Sequence, residues 1–416
     1  MIFIANVLTM NGGTTFLIRT CREFQRRGIP VAVLLLFPFF DSVLREELAR
    51  YAKVIDLREF LWDRGWCFRA QFATFAPIRW AALLTEIRPF GNALHVMGVF
   101  GLLFACRLVR RAPGMKVTAG VYHQNEYLFT ADDSFFVRTL RRCFTALSGG
   151  QVLFFNQLNM VNYGKFFGRD FSSCVIAPIG IDISEYEREP QRECEKQRLV
   201  SVGNLVNFKT YNRHVIGVVA KLAGKYDAIR YEIYGMGPEE PVLRELAQCL
   251  GVQDKVHFMG AISYSEFPDT VRRATLFIGS GTALLEAAAL GVPAMVGIES
   301  IAQPETYGFL SDIEGLSYNE FMPEVLRVPM ADLTDRLLSD EVFAAGIADA
   351  CRKKAREFSV ISTVDRIETM IKHAKGSGST LGSIETILLC LSFTGIAVRD
   401  RLGLSSAFRN RRDQSF

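Results

Sequence analysis

The chain has 416 residues, 49% of them apolar and 22% charged, and a formal net charge of +4. That length suits two or three domains with sizeable cores, and so small a net charge argues against bulk nucleic-acid binding, leaving an acidic partner to be met by local patches. The nine cysteines have no C-x-x-C spacing and the five histidines do not gather near them, which argues against a zinc site and a disulfide framework.

In chain order, residues 2–8 read as a strand. The start MIFIANVLTMNGG lacks a basic n-region and a small-residue cleavage site, so the expectation is a buried first strand in a reducing, cytoplasmic setting. Asn11-Gly12-Gly13-Thr14-Thr15 then opens a helical pattern that runs to Arg27, Gly28 stops it, and VAVLLLF (31–37) is the next strand. Further strands are expected at 53–57, 93–96, 116–122, 151–155 and 175–178. Residues 183–197 are polar and read as a linker. After it the alternation restarts, with strands at 199–202, 230–234, 255–259, 275–278 and 294–298 and helices at 212–222, 241–250, 266–273 and 282–290. Residues 341–374 read as mainly helical, and GSGST (376–380) as a flexible joint. Repeated strand–helix alternation predicts parallel sheets with helices on both faces. The expected fold is α/β with two tandem Rossmann-like doubly wound domains facing a cleft: 1–185, 186–375, and a tail at 376–416.

No run reaches the roughly 18–20 apolar residues of a membrane-spanning helix. HVMGVFGLLFACRLV (95–109) and ILLCLSFTGIAV (387–398) come partway. Residues 58–90 hold Trp62, Trp66 and Trp80 with several arginines, a composition that suits either a headgroup interface or helices packed on a sheet. After 387–398 come Arg399, Arg401, Arg409, Arg411 and Arg412, which read as an interfacial helix with a basic end, a docking segment or a disordered end.

GSGTALLEAAALGVPAMV (279–296) carries a single carboxylate, Glu286, behind a glycine turn. The glycines allow close backbone approach to a ligand, and the helix start presents free N–H groups and partial positive charge. Glu286, about one turn in, either complements the helix dipole or accepts two hydrogen bonds from a vicinal diol such as a ribose. In LVSVGNLVNFKTYNRHV (199–215), Lys209 is the one cation of a strand-end loop, either solvated or placed to neutralise a diphosphate. The Gly-x-Gly of YEIYGMGPEE (231–240) is a weak signal by itself.

These phrases together resemble family 4 glycosyltransferases, which have the GT-B two-domain fold. VSVGNLVNFK, YGMGPEEPVLRELAQCLG, VHFMG and GTALLEAAALGVP occur in the family's order, and APIGIDISEY (177–186) resembles its Pro-x-Gly-x-Asp signature. Asn11-Gly12-Gly13-Thr14 and VYHQNEY (121–127) extend the resemblance more loosely into the first half. The closest likeness is to enzymes that assemble capsule, exopolysaccharide, lipopolysaccharide or O-antigen units. By position, the resemblance implies that Glu286 holds the donor ribose and Lys209 contacts the donor diphosphate. It places Gly281, Thr282 and Ala283 near the phosphates and Gly12 and Gly13 in a glycine loop facing the cleft. His123 falls beside the reacting sugar, and His123 and Lys209 are the candidate catalytic residues. Two positions depart from the pattern. Ile278 stands where the first glutamate of a pair is expected, and Asn204 stands where an arginine is expected, bringing a donor without charge.

The resemblance implies transfer from a UDP- or GDP-sugar to a saccharide or polyprenyl-linked acceptor, with retention and without a metal or other cofactor. An anionic membrane surface is a further expected partner, with the chain peripheral at the inner face of the plasma membrane, and no nucleic acid is expected. A UDP-sugar epimerase of the same fold and a non-catalytic nucleotide- or partner-binding protein are the alternative readings.

Overall fold

The computed structural model describes residues 1–9, 12–63, 65, 70–129, 133–187, 194–376 and 378–404. The first half alternates β1 (Ile2–Ala5), α1 (Gly12–Arg26), β2 (Ala32–Leu35), α2 (Ser42–Ala49), β3 (Lys53–Asp56), α3 (Trp80–Ile87), β4 (Ala93–Met97), α4 (Val99–Arg111), β5 (Lys116–Gly120), α5 (Phe135–Thr145), β6 (Val152–Phe154), α6 (Gln157–Phe167) and β7 (Val175–Ile176). Its seven strands are parallel, in the order β3-β2-β1-β4-β5-β6-β7. β1 and β2 are buried at every position, as strands covered by helices on both faces must be.

The second half runs α7 (Ile183–Glu187), β8 (Glu195–Val202), α8 (Tyr211–Leu222), β9 (Arg230–Tyr234), α9 (Glu240–Cys249), β10 (Val256–Gly260), α10 (Phe267–Val271), β11 (Ala274–Gly279), α11 (Thr282–Ala289) and β12 (Ala294–Val296). Its five parallel strands are ordered β10-β9-β8-β11-β12. A ribbon of β13 (Glu305–Thr306) and β14 (Val328–Pro329) precedes α12 (Met330–Ser339) and α13 (Glu341–Ala355). The chain ends its described course with α14 (Val360–His373) and α15 (Ser383–Arg401). The expected α/β architecture of two doubly wound sheets is therefore present, each sheet with its own apolar core.

The division of the chain differs from the expected 1–185 and 186–375. One compact unit takes residues 1–177 together with the chain from Ile361 onward, and the other takes Pro178–Val360. Ile181 and Val360 exchange main-chain hydrogen bonds with neighbours inside the second unit: Ile181 N–H donates to Phe358 O at 2.8 Å and Val360 N–H to Ile181 O at 2.9 Å. α14 returns to the first unit, where the Arg27 guanidinium bonds Asp365 at 2.7 Å and Glu368 at 3.2 Å. Composition marks a polar stretch, but packing decides where a unit ends. The polar 183–197 stretch is likewise shorter as a linker than expected: it contains α7 and the start of β8, and residues 188–193 lie outside the described set.

The joint expected at 376–380 leads into packed chain. Leu381 is buried and donates to Cys106 O at 3.1 Å, and a Cβ on Gly378 would meet Ala146 O at 2.5 Å. α15 then docks Leu389, Phe393 and Ile396 into the first core. Phe393 sits among Phe72, Phe75, Phe100 and Phe136 with ring centroids 5.3–5.9 Å away. In the 58–90 stretch, Trp80 packs on Phe104 at 5.8 Å and under the Arg107 guanidinium at 5.3 Å, so this part is sheet-covering structure. Trp62 is exposed, and Trp66 lies outside the described residues.

Candidate functional site

In each sheet the strand order reverses once, between β1 and β4 and between β8 and β11. Ligands of open α/β sheets bind outside the carboxyl ends of the strands at such points. The second unit brings Asn204, Lys209, Gly281, Thr282, Ala283 and Glu286 onto the two elements that leave β8 and β11.

The loop after β8 is built by backbone contact. Gly203 N–H donates to Tyr234 O at 2.9 Å and Leu205 N–H to Met236 O at 3.0 Å. A Cβ on Gly235 would lie 2.0 Å from Gly203 O, and one on Gly237 2.1 Å from Leu205 O. The Gly-x-Gly after β9 thus exists so that two strand-end loops can touch, and that contact fixes the loop carrying Lys209. Lys209 is half-buried and forms no ion pair among the described residues, while Asn204 is exposed.

β11 ends at Gly279, and Gly281 takes φ +65°, a conformation that favours glycine, to turn the chain into α11. No side chain caps α11 and no acid lies in its first turn, so its first N–H groups and their partial positive charge are available to an anion. Glu286 is 3% exposed and accepts from the Tyr264 hydroxyl at 3.2 Å. Tyr264 in turn pairs with the Tyr186 hydroxyl at 2.6 Å. A buried carboxylate held in this way is more than a solvated complement to a helix dipole. Ile278 is 1% exposed inside β11, and its carbonyl accepts from Ser201 Oγ at 2.6 Å. That position belongs to the core.

Sequence reasoning missed the acids that approach from beyond β12. Ser280 Oγ donates to Glu299 Oε1 at 2.7 Å. Burial pushes the Glu299 carboxyl up from its ordinary value, while the Ser280 hydroxyl, the Lys209 charge and the Asn319 side chain pull it down. Burial pushes Glu320 up to about 7, and the Glu299 charge adds to the rise. The Tyr318 hydroxyl is buried without a hydrogen-bond partner among the described residues. Burial and the charges of Glu320, Glu299 and Glu286 push its phenol up, keeping it protonated. The only signal for these groups was isolated acids in loops, which carry no periodicity.

In the first unit, Gly12 and Gly13 open α1, and Asn11 lies outside the described residues. Gly13 lines a cavity of about 120 Å³ with Asn6, Gly98, Tyr122 and Glu126, at the reversal between β1 and β4. Glu126 Oε2 accepts the Tyr122 N–H at 3.1 Å. His123, the next residue, is half-buried and its Nδ1 accepts the Asn125 N–H at 3.2 Å.

Two doubly wound parallel sheets with these strand-end loops define a GT-B type α/β fold. Residues 182–306, less than a third of the chain, match the model of the family described as glycosyl transferases group 1. An uncharacterized glycosyltransferase of Haemophilus influenzae is 28% identical over 163 residues, covering 35% of this chain and 45% of that protein. A GDP-mannose-dependent alpha-(1-6)-phosphatidylinositol monomannoside mannosyltransferase of Mycobacterium tuberculosis is 26% identical over 176 residues, covering 37% of this chain and 45% of that protein. The match thus spans less than half the length of either relative. The crystal structure of Anabaena HepE in complex with UDP and glucose shares the fold with a TM-score of 0.61 at 15% identity, over 89% of this chain and 99% of that one.

Proposed function

We propose that this protein transfers a sugar from a nucleoside-diphosphate sugar, UDP- or GDP-linked, to a saccharide or lipid-linked acceptor in the assembly of bacterial surface polysaccharide. One observation carries the reading: a buried carboxylate, Glu286, one turn inside an uncapped helix that starts at the sheet's reversal point, with the half-buried Lys209 on the neighbouring loop. Glu286 accepts two hydrogen bonds from a ribose diol. The N–H groups of Thr282 and Ala283 take the diphosphate, and Gly281 lets the backbone approach it. Lys209 offsets the negative charge that grows on the departing diphosphate, the largest electrostatic demand of the reaction. With Asn204 in place of a cation, Lys209 and the helix start carry that task together.

His123, Gly12 and Gly13 of the first unit are assigned to the transferred sugar and the acceptor side. Transfer proceeds with retention and without a metal or cofactor, and a leaving-group phosphate oxygen takes the acceptor proton. The relative named as GDP-mannose-dependent and the structure holding UDP and glucose support the donor class. The place of work is the inner face of the plasma membrane. No helix among the described residues is long and apolar enough to cross a bilayer, whereas α15 carries an apolar outer face.

The test is thermal unfolding with UDP, GDP, ADP and CMP, on wild type and Glu286→Ala. A ligand at about 100 times its dissociation constant adds roughly 2.7 kcal/mol. One diphosphate should stabilise wild type and leave the variant unmoved. No stabilisation by any of the four removes the donor-site reading. Release of nucleoside diphosphate only when an acceptor is present separates transfer from epimerisation of the donor alone and from a non-catalytic binder.

A further inference from the structure

Three strand-end loops of the second unit meet at one acid. Glu299 follows β12, accepts the Ser280 hydroxyl from the turn after β11, and donates its N–H to Asn319 O at 2.9 Å. The next residue, Ser300, takes φ +61°, a left-handed conformation that is uncommon for a residue with a side chain. Its N–H donates to Phe208 O at 2.7 Å, on the loop after β8 and adjacent in sequence to Lys209. Strain of this kind persists where the surrounding structure over-determines it, and it clusters at ligand sites. Here it ties the Glu299 backbone to the Lys209 loop while Ser280 ties its carboxyl to the turn that opens α11.

A charged acid in this place would repel a diphosphate. Burial raises the Glu299 carboxyl from its ordinary value while Ser280 and Lys209 draw it back. In either form the carboxyl accepts hydrogen bonds, and hydroxyls, which donate and carry no charge, are its natural partners; on a sugar nucleotide these are the hydroxyls of the sugar ring. We propose that Glu299, positioned by Ser280, binds the hydroxyls of the sugar carried by the donor. The assignment rests on the reading of this unit as a sugar-nucleotide site, and it names the side chain that distinguishes a sugar nucleotide from the bare diphosphate.

Calorimetry on wild type, Glu299→Ala, Glu299→Gln and Ser280→Ala with UDP, GDP, UDP-glucose, UDP-N-acetylglucosamine and GDP-mannose tests it. Glu299→Ala should hold diphosphate affinity within about twofold and lower affinity for at least one sugar nucleotide by about tenfold, the scale of a lost hydrogen bond to a substrate hydroxyl. Ser280→Ala should shift the same ratio in the same direction by less. If Glu299→Ala fails to fold, Glu299→Leu, of similar volume and without polar side-chain atoms, carries the comparison, whereas Glu299→Gln, which still donates and accepts, should retain sugar-nucleotide binding. A ratio of sugar-nucleotide to diphosphate affinity that stays at the wild-type value for every pair overturns the assignment, and so does an equal loss for both. Wild type binding none of the five overturns the underlying sugar-nucleotide reading, and the role of Glu299 falls with it.

Discussion

His95 is fully buried on β4, with Nδ1 at 2.9 Å from Thr118 Oγ1 and Nε2 at 2.7 Å from the Tyr122 hydroxyl. Thr118 Oγ1 donates to Leu94 O at 3.2 Å, so it accepts from Nδ1–H and leaves Nε2 to accept from Tyr122. This chain of bonds anchors the residue just before His123. Burial lowers the His95 pKa from 6.5 to about 3. Above pH 6.5 the group is neutral folded and unfolded and leaves stability unchanged. As pH falls from 6.5 towards 3, the unfolded chain takes up a proton that the folded chain refuses. Stability then drops by about 1.4 kcal/mol per pH unit from this group. In urea unfolding between pH 4 and 6.5, His95→Gln should flatten that slope relative to wild type, and parallel curves would reject the account. At this scale the sequence was uneven. Glu286 and Lys209 were legible because each is the one charge in a patterned strand-end segment. Glu299 and Glu320 were not, because a loop acid gains its meaning from burial and from distant neighbours, as Glu299 does from Ser280, 19 positions away.

α15 shows both what a pattern reveals and what it hides. Its apolar run was visible, yet the run could not tell which residues face the body. The structure seats Leu389, Phe393 and Ile396 inward and leaves Ile384, Ile387, Leu391 and Val398 exposed, 76%, 60%, 64% and 51% respectively, with Arg399 beyond them. Phe393→Ala should cost about 3–5 kcal/mol in chemical unfolding, the range for emptying a buried aromatic site. Leu391→Ser, on the outer face, should leave stability within about 0.5 kcal/mol. Under the proposed peripheral placement, it should also weaken sedimentation with phosphatidylglycerol vesicles relative to wild type. Equal sedimentation of the two proteins would detach α15 from that role. The glycines after β9 teach a related lesson. Gly235 and Gly237 were a weak signal by themselves, and the space they leave is filled by the backbone of residues 203 and 205.

At the scale of the whole molecule, the proposed chemistry sets a further expectation. If Lys209 and the α11 N-terminus carry the leaving-group charge, nucleoside diphosphate release in the presence of acceptor should persist at millimolar EDTA. Loss of turnover that added magnesium restores would return that task to a metal ion. The sequence by itself determined the α/β class, the chain positions of nearly all strands, the family resemblance and the place of Lys209 and Glu286 on the segments that leave β8 and β11. These rest on local periodicity, glycine turns and short motifs, which act within a few residues. Tertiary structure alone decided that the chain crosses between units at Ala177/Pro178 and Val360/Ile361, that Ile278 is core, and that Glu299 reaches the turn at Ser280. Each of these is settled by which distant surfaces pack together, and burial and contact between distant segments leave no period in the chain for a sequence reading to find.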